Sequence, residues 1–330
     1  MPWRVIPPKI HPSCPPLPPR HLLIRSPNWL GDAVMTLPAV QLLLHELNPD
    51  DTFSLLAPTK LHDFWKQVPG LHFILPVDPN LVITADTLRS HNFSHALLFP
   101  NSLRSALEVA LARIPQRLGY PGHSRSWLLT HSIPKYSRRL GLRHQQHDYL
   151  DLIHVFLEKP ENTITPNFHP LPRPTPNLDS PTPSLPYIVL CPGAEYGPAK
   201  RWPADRYAVL ARHLAESHCL PIYVLGSESD IPVAEILQKK AALSTDQLIN
   251  LTGKTSLASF IQFIAHARLL LCNDSGSMHL AAAFGTPPSP SSAPPNPNSP
   301  APSTPPFKSS AITSPAAPAS SASAPSISAA

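Results

Sequence analysis

From His21 onward the chain repeats one pattern: a short apolar run, a polar break, then apolar residues spaced as on one face of a helix. The run His21–Arg25 closes at Ser26 and Pro27, and Val34, Leu37, Val40, Leu43, Leu44 and Leu47 then follow at helical spacing across 31–47. Strands are expected at Thr52–Ala57, 72–77 and 95–99, and helices at 60–68, 102–113 and 150–157. Such alternation predicts a mostly parallel sheet with helices on both faces, an α/β fold.

Prolines every few residues interrupt the pattern across 160–186, which reads as an extended connector between domains. The pattern then restarts. Strands are expected at 187–191, 221–225, 248–251 and Leu269–Cys272, with helices at 203–217, 231–242, 257–265 and 277–284. Two βαβ halves predict two Rossmann-like parallel-sheet domains, 21–159 and 187–286, facing a cleft. In such sheets ligands bind at the carboxyl ends of the strands.

Composition alters this picture mainly at the ends. The chain holds 46 prolines in 330 residues, against an ordinary usage of about 5%, and they crowd the head, 1–20, and the tail, 287–330. The tail is roughly four-fifths Pro, Ser and Ala, too poor in apolar surface to offset chain entropy, so both ends are expected to be disordered. No apolar run is long enough to span a membrane. The head has prolines where a signal peptide needs an apolar core, so a cytoplasmic location is expected. Cys14, Cys191, Cys219 and Cys272 are scattered without paired spacing, which argues against a disulfide framework or a zinc site. A net charge of +5 is too modest for a dedicated nucleic-acid binder and suits an anionic small substrate or an acidic membrane surface.

Four strand-to-helix junctions carry candidate chemistry. The first, after His21–Arg25, contains Asn28, Gly31 and Asp32. Asp32 at a helix start suits the macrodipole or a cap, and it equally suits a general base at the cleft. The second, after 187–191, places Lys200 and Arg201 before a helix, where cations are unfavourable unless an anion is present. The third is Glu228, with Asp230 the better candidate for a cap and Glu228 for ribose hydroxyls. The fourth is Asp274, Ser275 and Gly276, a polar turn whose backbone N–H groups suit a phosphate, with His279 one turn on. Neither GxGxxG nor GxxxxGK[ST] occurs, so dinucleotide oxidoreductases and P-loop NTPases are not supported. His144 and His147 lack a metal-binding context, and no metal is assigned.

Residues 26–38 (SPNWLGDAVMTLP), 192–203 (PGAEYGPAKRWP) and 273–283 (NDSGSMHLAAA) together resemble the signature segments of glycosyltransferase family 9, of the ADP-heptose:lipopolysaccharide heptosyltransferase II type. Residues 101–106 (NSLRSA) and 117–120 (RLGY) are similar to that group too. The resemblance implies a GT-B architecture and transfer of heptose, with inversion, from ADP-heptose to a hydroxyl of the lipopolysaccharide inner core, heptosyl-Kdo-lipid A. It implies Asp32 as the base and Lys200 against the diphosphate. Glu228 would hold the ribose, Asp274 the heptose hydroxyls, Thr255 the nucleoside side, and Ser275, Gly276 and His279 the phosphate end. Asn28, Gly31 and Arg104 would lie on the acceptor side. Arg104, Arg113, Arg117, Arg125, Arg138 and Arg139 are candidates to meet acceptor phosphates and carboxylates, with a solvated surface the alternative for each. No cofactor is implied, and the enzyme would meet its acceptor at the cytoplasmic membrane face. After Thr286 the chain departs from the family pattern, as a truncated or frameshifted C-terminus would. The second domain is therefore expected to be incomplete, without a late strand and its closing helices. The alternatives are an inactive or unstable truncated remnant that at most binds ADP-sugar and a related GT-B enzyme such as an epimerase.

Overall fold

The computed structural model describes residues 19–122, 124–133, 144–159, 168–175, 183, 186–194 and 201–290. The expected disorder of the head and tail, and Arg138, Arg139 and Lys200, fall outside them, except for residues 19, 20 and 287–290 at the inner edges of head and tail. The first β/α unit contains β1 (His21–Arg25), α1 (Leu30–Met35), α2 (Leu37–Glu46), β2 (Thr52–Ala57), α3 (His62–Trp65) and β3 (Ile74–Pro76). It continues through α4 (Leu81–Ser90), β4 (His95–Leu98), α5 (Leu103–Leu111), β5 (Gln116–Gly119), β6 (His131–Ser132) and α6 (Gln146–Phe156). Its six strands are parallel in the order β3-β2-β1-β4-β5-β6. Leu22, Leu23 and Ile24 of β1 are fully buried, as a strand covered on both faces requires.

The second unit runs β7 (Ile188–Cys191), α7 (Ala204–His218), β8 (Ile222–Val224), α8 (Ile231–Ala241), β9 (Leu248–Asn250), α9 (Leu257–His266), β10 (Leu269–Cys272), α10 (Gly276–Ala283) and β11 (Pro288–Pro290). Its parallel order, β11-β10-β7-β8-β9, repeats the winding of the first sheet, with β7 where β1 stands and β10 where β4 stands. Both sheets therefore reverse direction between their first and fourth strands. At that switch point the carboxyl-end loops diverge and leave a crevice.

One apolar cluster joins the units. It includes Ile24, Val34, Phe64 and Ile153 from the first and Val189, Ile264 and Leu280 from the second. The connector contributes along 168–175. Gln41 of α2 donates to the His169 carbonyl at 2.7 Å and accepts from the His169 N–H at 3.2 Å. Leu171 N–H bonds the Ala283 carbonyl, while Gln262 and His266 of α9 reach the Thr175 and Pro174 carbonyls. This part of the connector is packed and hydrogen-bonded across both units.

Several elements differ from the sequence expectation. The helix expected over 31–47 breaks at Thr36, whose hydroxyl bonds the Ala33 carbonyl at 2.6 Å, and a new helix starts at Leu37 with Pro38 in its first turn. Helix α4, capped by Asn80 accepting from Val82 N–H, was not expected, nor was β5. Of the late strand and closing helices expected to be missing, the strand is represented by β11, registered Leu270↔Pro288 on β10, and the helices would fall outside the described residues. Leu270 N–H donates to the Pro287 carbonyl at 3.2 Å. A proline-rich segment manages this because a proline still offers its carbonyl, and in this sheet β11 lies at the edge.

Candidate functional site

The carboxyl ends of both sheets converge where α1 meets α10. Gly31 and Gly276 are the contact: a Cβ on Gly31 would lie 3.4 Å from Gly276 Cα and 3.6 Å from His279 Cδ2. Asp32 follows Gly31 in the first turn of α1. The structure thus brings Gly31 and Asp32 together with Ser275, Gly276 and His279, residues far apart in the chain.

Asp32 is half-buried, and that burial pushes its carboxyl above the ordinary carboxylate range. It does not cap its helix. Trp29 holds the cap position, with no side-chain cap bond. Among the described residues the Asp32 carboxylate makes no hydrogen bond or ion pair, so its lone pairs remain open to a proton donor. Tyr149 of α6 lies close enough for the Asp32 charge, after burial, to raise its phenol pKa. The sequence reading missed Tyr149; its signal was a polar-tipped aromatic at a core position of a helix. It packs on Phe99 at 5.0 Å, and its hydroxyl accepts from Gln145 at 2.7 Å.

On the opposite side, Ser275 caps α10 with extended backbone, and its hydroxyl shares a 2.7 Å hydrogen bond with that of Ser277. Asp274 is exposed, while Ser275, Gly276 and His279 are half-buried. His279 is no core histidine: its ring edge faces Gly31 across the cleft.

Asn273, which the sequence reading passed over, holds this end together. Fully buried, it accepts from Trp202 N–H at 2.9 Å and the Tyr207 hydroxyl at 3.2 Å. Its amide donates to the carbonyls of Pro192 at 2.8 Å and Gly193 at 3.1 Å. The loop after β7, which leads to Lys200, is thereby tied to the end of β10. Asp230 holds the loop from another side. Its carboxylate accepts from Ser227 N–H and Oγ and from Arg201 at 3.4 Å. It lies so close over Gly193 that a Cβ there would fall 2.2 Å from Asp230 Cγ. Ser227 is therefore the cap of this turn, with Asp230 its reciprocal partner three residues on rather than the cap itself, and Glu228 stands exposed in the turn after β8. Glu228 neighbours the loop after β9, where its Cα is 3.5 Å from the Cβ position of Gly253, with half-buried Thr255 two residues on.

The cations expected to face an acceptor are largely engaged. Arg104 spends its three nitrogens on Glu108 and on the Pro79 and Asp78 carbonyls, which ties α5 to the start of α4. Arg117 donates to the Leu128 and Ile114 carbonyls. Arg125 is fully buried and donates to Tyr120, Pro100 and Asn101, among others. Burial without a carboxylate partner lowers its pKa to about 10. Asn28 is exposed in the loop before α1, and Arg113 is exposed as well. Among the described residues no three His, Cys, Asp or Glu side chains gather as they would around a metal. A separate cavity of about 470 Å³, lined by Gln41, His45, Glu46 and His169, opens at the amino ends of the strands, away from this site.

The sequence model of Glycosyltransferase family 9 (heptosyltransferase) matches residues 83–288. The chain belongs to this family. It is 31% identical over 292 residues to lipooligosaccharide heptosyltransferase 2 of Haemophilus ducreyi, covering 81% of this chain and 80% of that protein. It is 30% identical over 285 residues to lipopolysaccharide heptosyltransferase 2 of Escherichia coli K12, again covering 81% and 80%. The solved structure of E. coli ADP-heptose lps heptosyltransferase II superposes with a TM-score of 0.69 at 28% identity, over 81% of this chain and 83% of that one. The fold is likewise that of E. coli heptosyltransferase WaaC with ADP, with a TM-score of 0.63 at 18% identity, over 81% and 86%. The family 9 chain has the GT-B architecture of these heptosyltransferases, and it is a glycosyltransferase by kinship.

Proposed function

We propose that this family 9 enzyme transfers heptose from ADP-heptose, with inversion, to a hydroxyl of the lipopolysaccharide inner core, heptosyl-Kdo-lipid A. The observation that carries the reading is the desolvated Asp32 carboxylate, without a hydrogen-bond partner among the described residues, next in the chain to Gly31, which packs on Gly276 and His279. In the proposed step Asp32 takes the proton of the acceptor hydroxyl as its oxygen attacks the anomeric carbon. The bond from that carbon to the ADP oxygen breaks on the opposite face, and ADP leaves with the electron pair. A raised pKa makes Asp32 a stronger base than an ordinary carboxylate.

Leaving-group charge is assigned to Lys200 together with the N–H groups at the start of α10. Glu228 is assigned the ribose, Thr255 the nucleoside side, and Asp274 the heptose hydroxyls. Asn28 and Gly31 lie on the acceptor side in this reading. No metal is assigned to the step, so EDTA should leave turnover unchanged.

Among the described residues no helix is long and apolar enough to cross a membrane. A lipid-anchored acceptor would be met at the cytoplasmic membrane face. In support, Val82, Ile83 and Leu103 are exposed apolar side chains at the starts of α4 and α5, which follow the carboxyl ends of β3 and β4.

The test is turnover by the full chain with ADP-heptose and heptosyl-Kdo-lipid A, read as ADP release and a heavier lipid product. Asp32→Ala should abolish transfer while ADP-heptose binding stays within about twofold; surviving turnover would remove the base. Lys200→Ala should weaken donor binding and turnover together, and an unchanged donor affinity would free Lys200 of the diphosphate. A parent chain that binds ADP-heptose yet transfers nothing to this acceptor would overturn the reading.

A further inference from the structure

Two side chains beside the site are left unexplained by folding. Trp29 occupies the cap position of α1, where Ser, Thr, Asp or Asn would supply an oxygen to the helix, and it supplies none. Its indole is 46% exposed. Lys60 sits in the single turn Thr59–Leu61 that follows β2. Because β2 pairs directly with β1, the loops carrying the two residues are neighbours. The Lys60 ammonium lies 4.4 Å from the centre of the Trp29 ring. Among the described residues Lys60 has no carboxylate partner, and nearby Asp63 is taken by Lys66 at 3.0 Å.

A large apolar ring in water and an unpaired cation over it answer no need of α1 or β2. Together they match a ligand that offers an apolar sugar face and a negative charge. Exposed aromatic faces stack on such surfaces, and an ammonium gains more from an anion than from a ring quadrupole at an exposed site. Trp29 is one helical turn before Asp32, its carbonyl accepting the Ala33 N–H at 2.9 Å, so a ligand on the indole would lie beside the proposed base.

We propose that Trp29 and Lys60 form a subsite for an anionic sugar of the acceptor, adjoining the hydroxyl that Asp32 deprotonates. The proposal rests on the reading of Asp32 as acceptor base. The indole face holds the sugar ring, and Lys60 pairs with its carboxylate or phosphate. The subsite sets acceptor affinity and leaves the chemical step to Asp32.

Steady-state kinetics of the full chain with heptosyl-Kdo-lipid A are the first test. Lys60→Ala should raise the acceptor KM about tenfold, as loss of one charge-assisted contact does, with kcat and donor KM within about twofold. Lys60→Arg should restore most of the acceptor affinity, and Trp29→Phe should retain more of it than Trp29→Ala. Repeating Lys60→Ala with a dephosphorylated acceptor and with a carboxyl-reduced acceptor identifies the anion: the tenfold effect disappears with the group that Lys60 pairs. An effect that survives both treatments overturns the charge pairing, and an unchanged acceptor KM overturns the subsite. A second readout needs no turnover. Titrating free Kdo should shift the indole fluorescence of the parent chain and not of Trp29→Phe, and identical responses would also overturn the subsite. A parent chain that responds to Kdo but transfers no heptose would fail the reading of the reaction and leave the subsite standing.

Discussion

Gly31 and Gly276 meet backbone to backbone: a Cβ placed on Gly276 would stand 3.2 Å from the Gly31 nitrogen. Neither glycine needs its freedom of φ here, since neither adopts a positive φ. What each supplies is the missing methyl, which lets α1 and α10 approach until the His279 ring lies against Gly31, the residue before Asp32. Because the facing atoms are backbone, they yield little. Gly276→Ala should force the two helices apart by a few tenths of an ångström, at a cost of about 1–3 kcal/mol of strain, and Gly276→Val by more. We expect kcat to fall more steeply than donor affinity across the series Gly, Ala, Val, measured by turnover and by ADP-heptose titration. Equal activity across the series would show that the contact is incidental.

Asp32 carries a cost in the fold. Burial raises its pKa, so between the unfolded and folded values the native state binds more protons, and stability falls as pH rises through that window. Above the window the full penalty remains. Asp32→Asn should therefore melt at a higher temperature than the parent at pH 7, with the gap closing in acid, while transfer is lost. The same shift places the acid limb of the parent's kcat/KM profile above the range of an ordinary carboxylate, because only the deprotonated base acts. Calorimetry across pH and a pH–rate profile check the two halves separately.

Much of the fold was legible because buried parallel strands are continuous apolar runs, as 187–191 and Leu269–Cys272 are. Where that signal is weak the reading failed. Gln116–Gly119 has one large apolar residue, and Pro288–Pro290 contributes carbonyls to a sheet edge without any strand-like sequence. At the site, a capping role for Asp230 was legible, since its spacing from Ser227 is local, although Ser227 holds the cap and Asp230 bonds back to it. Arg125 was not: an arginine reads as surface, and only the assembled carbonyls of Tyr120 and Pro100 make burial tolerable. Gly31 facing His279 is a long-range contact that no local pattern encodes.

Arg25 and Glu108 form a buried ion pair at 2.7 Å, with side chains 3% and 0% exposed, and Arg104 completes it from the surface at 3.0 Å. Removing the shared carboxylate strands a buried cation at the end of β1. Glu108→Ala should cost about 3–5 kcal/mol in urea unfolding, whereas the half-exposed Arg104→Ala should cost about 1 kcal/mol or less. Acceptor KM measured on Arg104→Ala separates its two readings. No change fits a clamp between α5 and α4, and a rise of about tenfold fits a cation that contacts the acceptor.

Asn273 is the last residue whose chemistry can be isolated by a small change. Its oxygen accepts from Trp202 and Tyr207, and its amide donates to Pro192 and Gly193. Asn273→Asp keeps the shape and the acceptor half but turns the donor half into a carboxylate facing two carbonyls. That new oxygen faces the Pro192 and Gly193 carbonyls, so its pKa should rise, and the variant should be destabilised by about 2–4 kcal/mol at pH 7. Protonation restores one donor, so the deficit should shrink toward pH 5. Asn273→Ala loses both halves and should show no such recovery. Because Asn273 anchors the loop leading to Lys200, both variants should bind ADP-heptose more weakly at pH 7, and only the Asp variant should regain affinity in acid. A common pH response in the two variants would locate the effect elsewhere than at the Pro192 and Gly193 carbonyls.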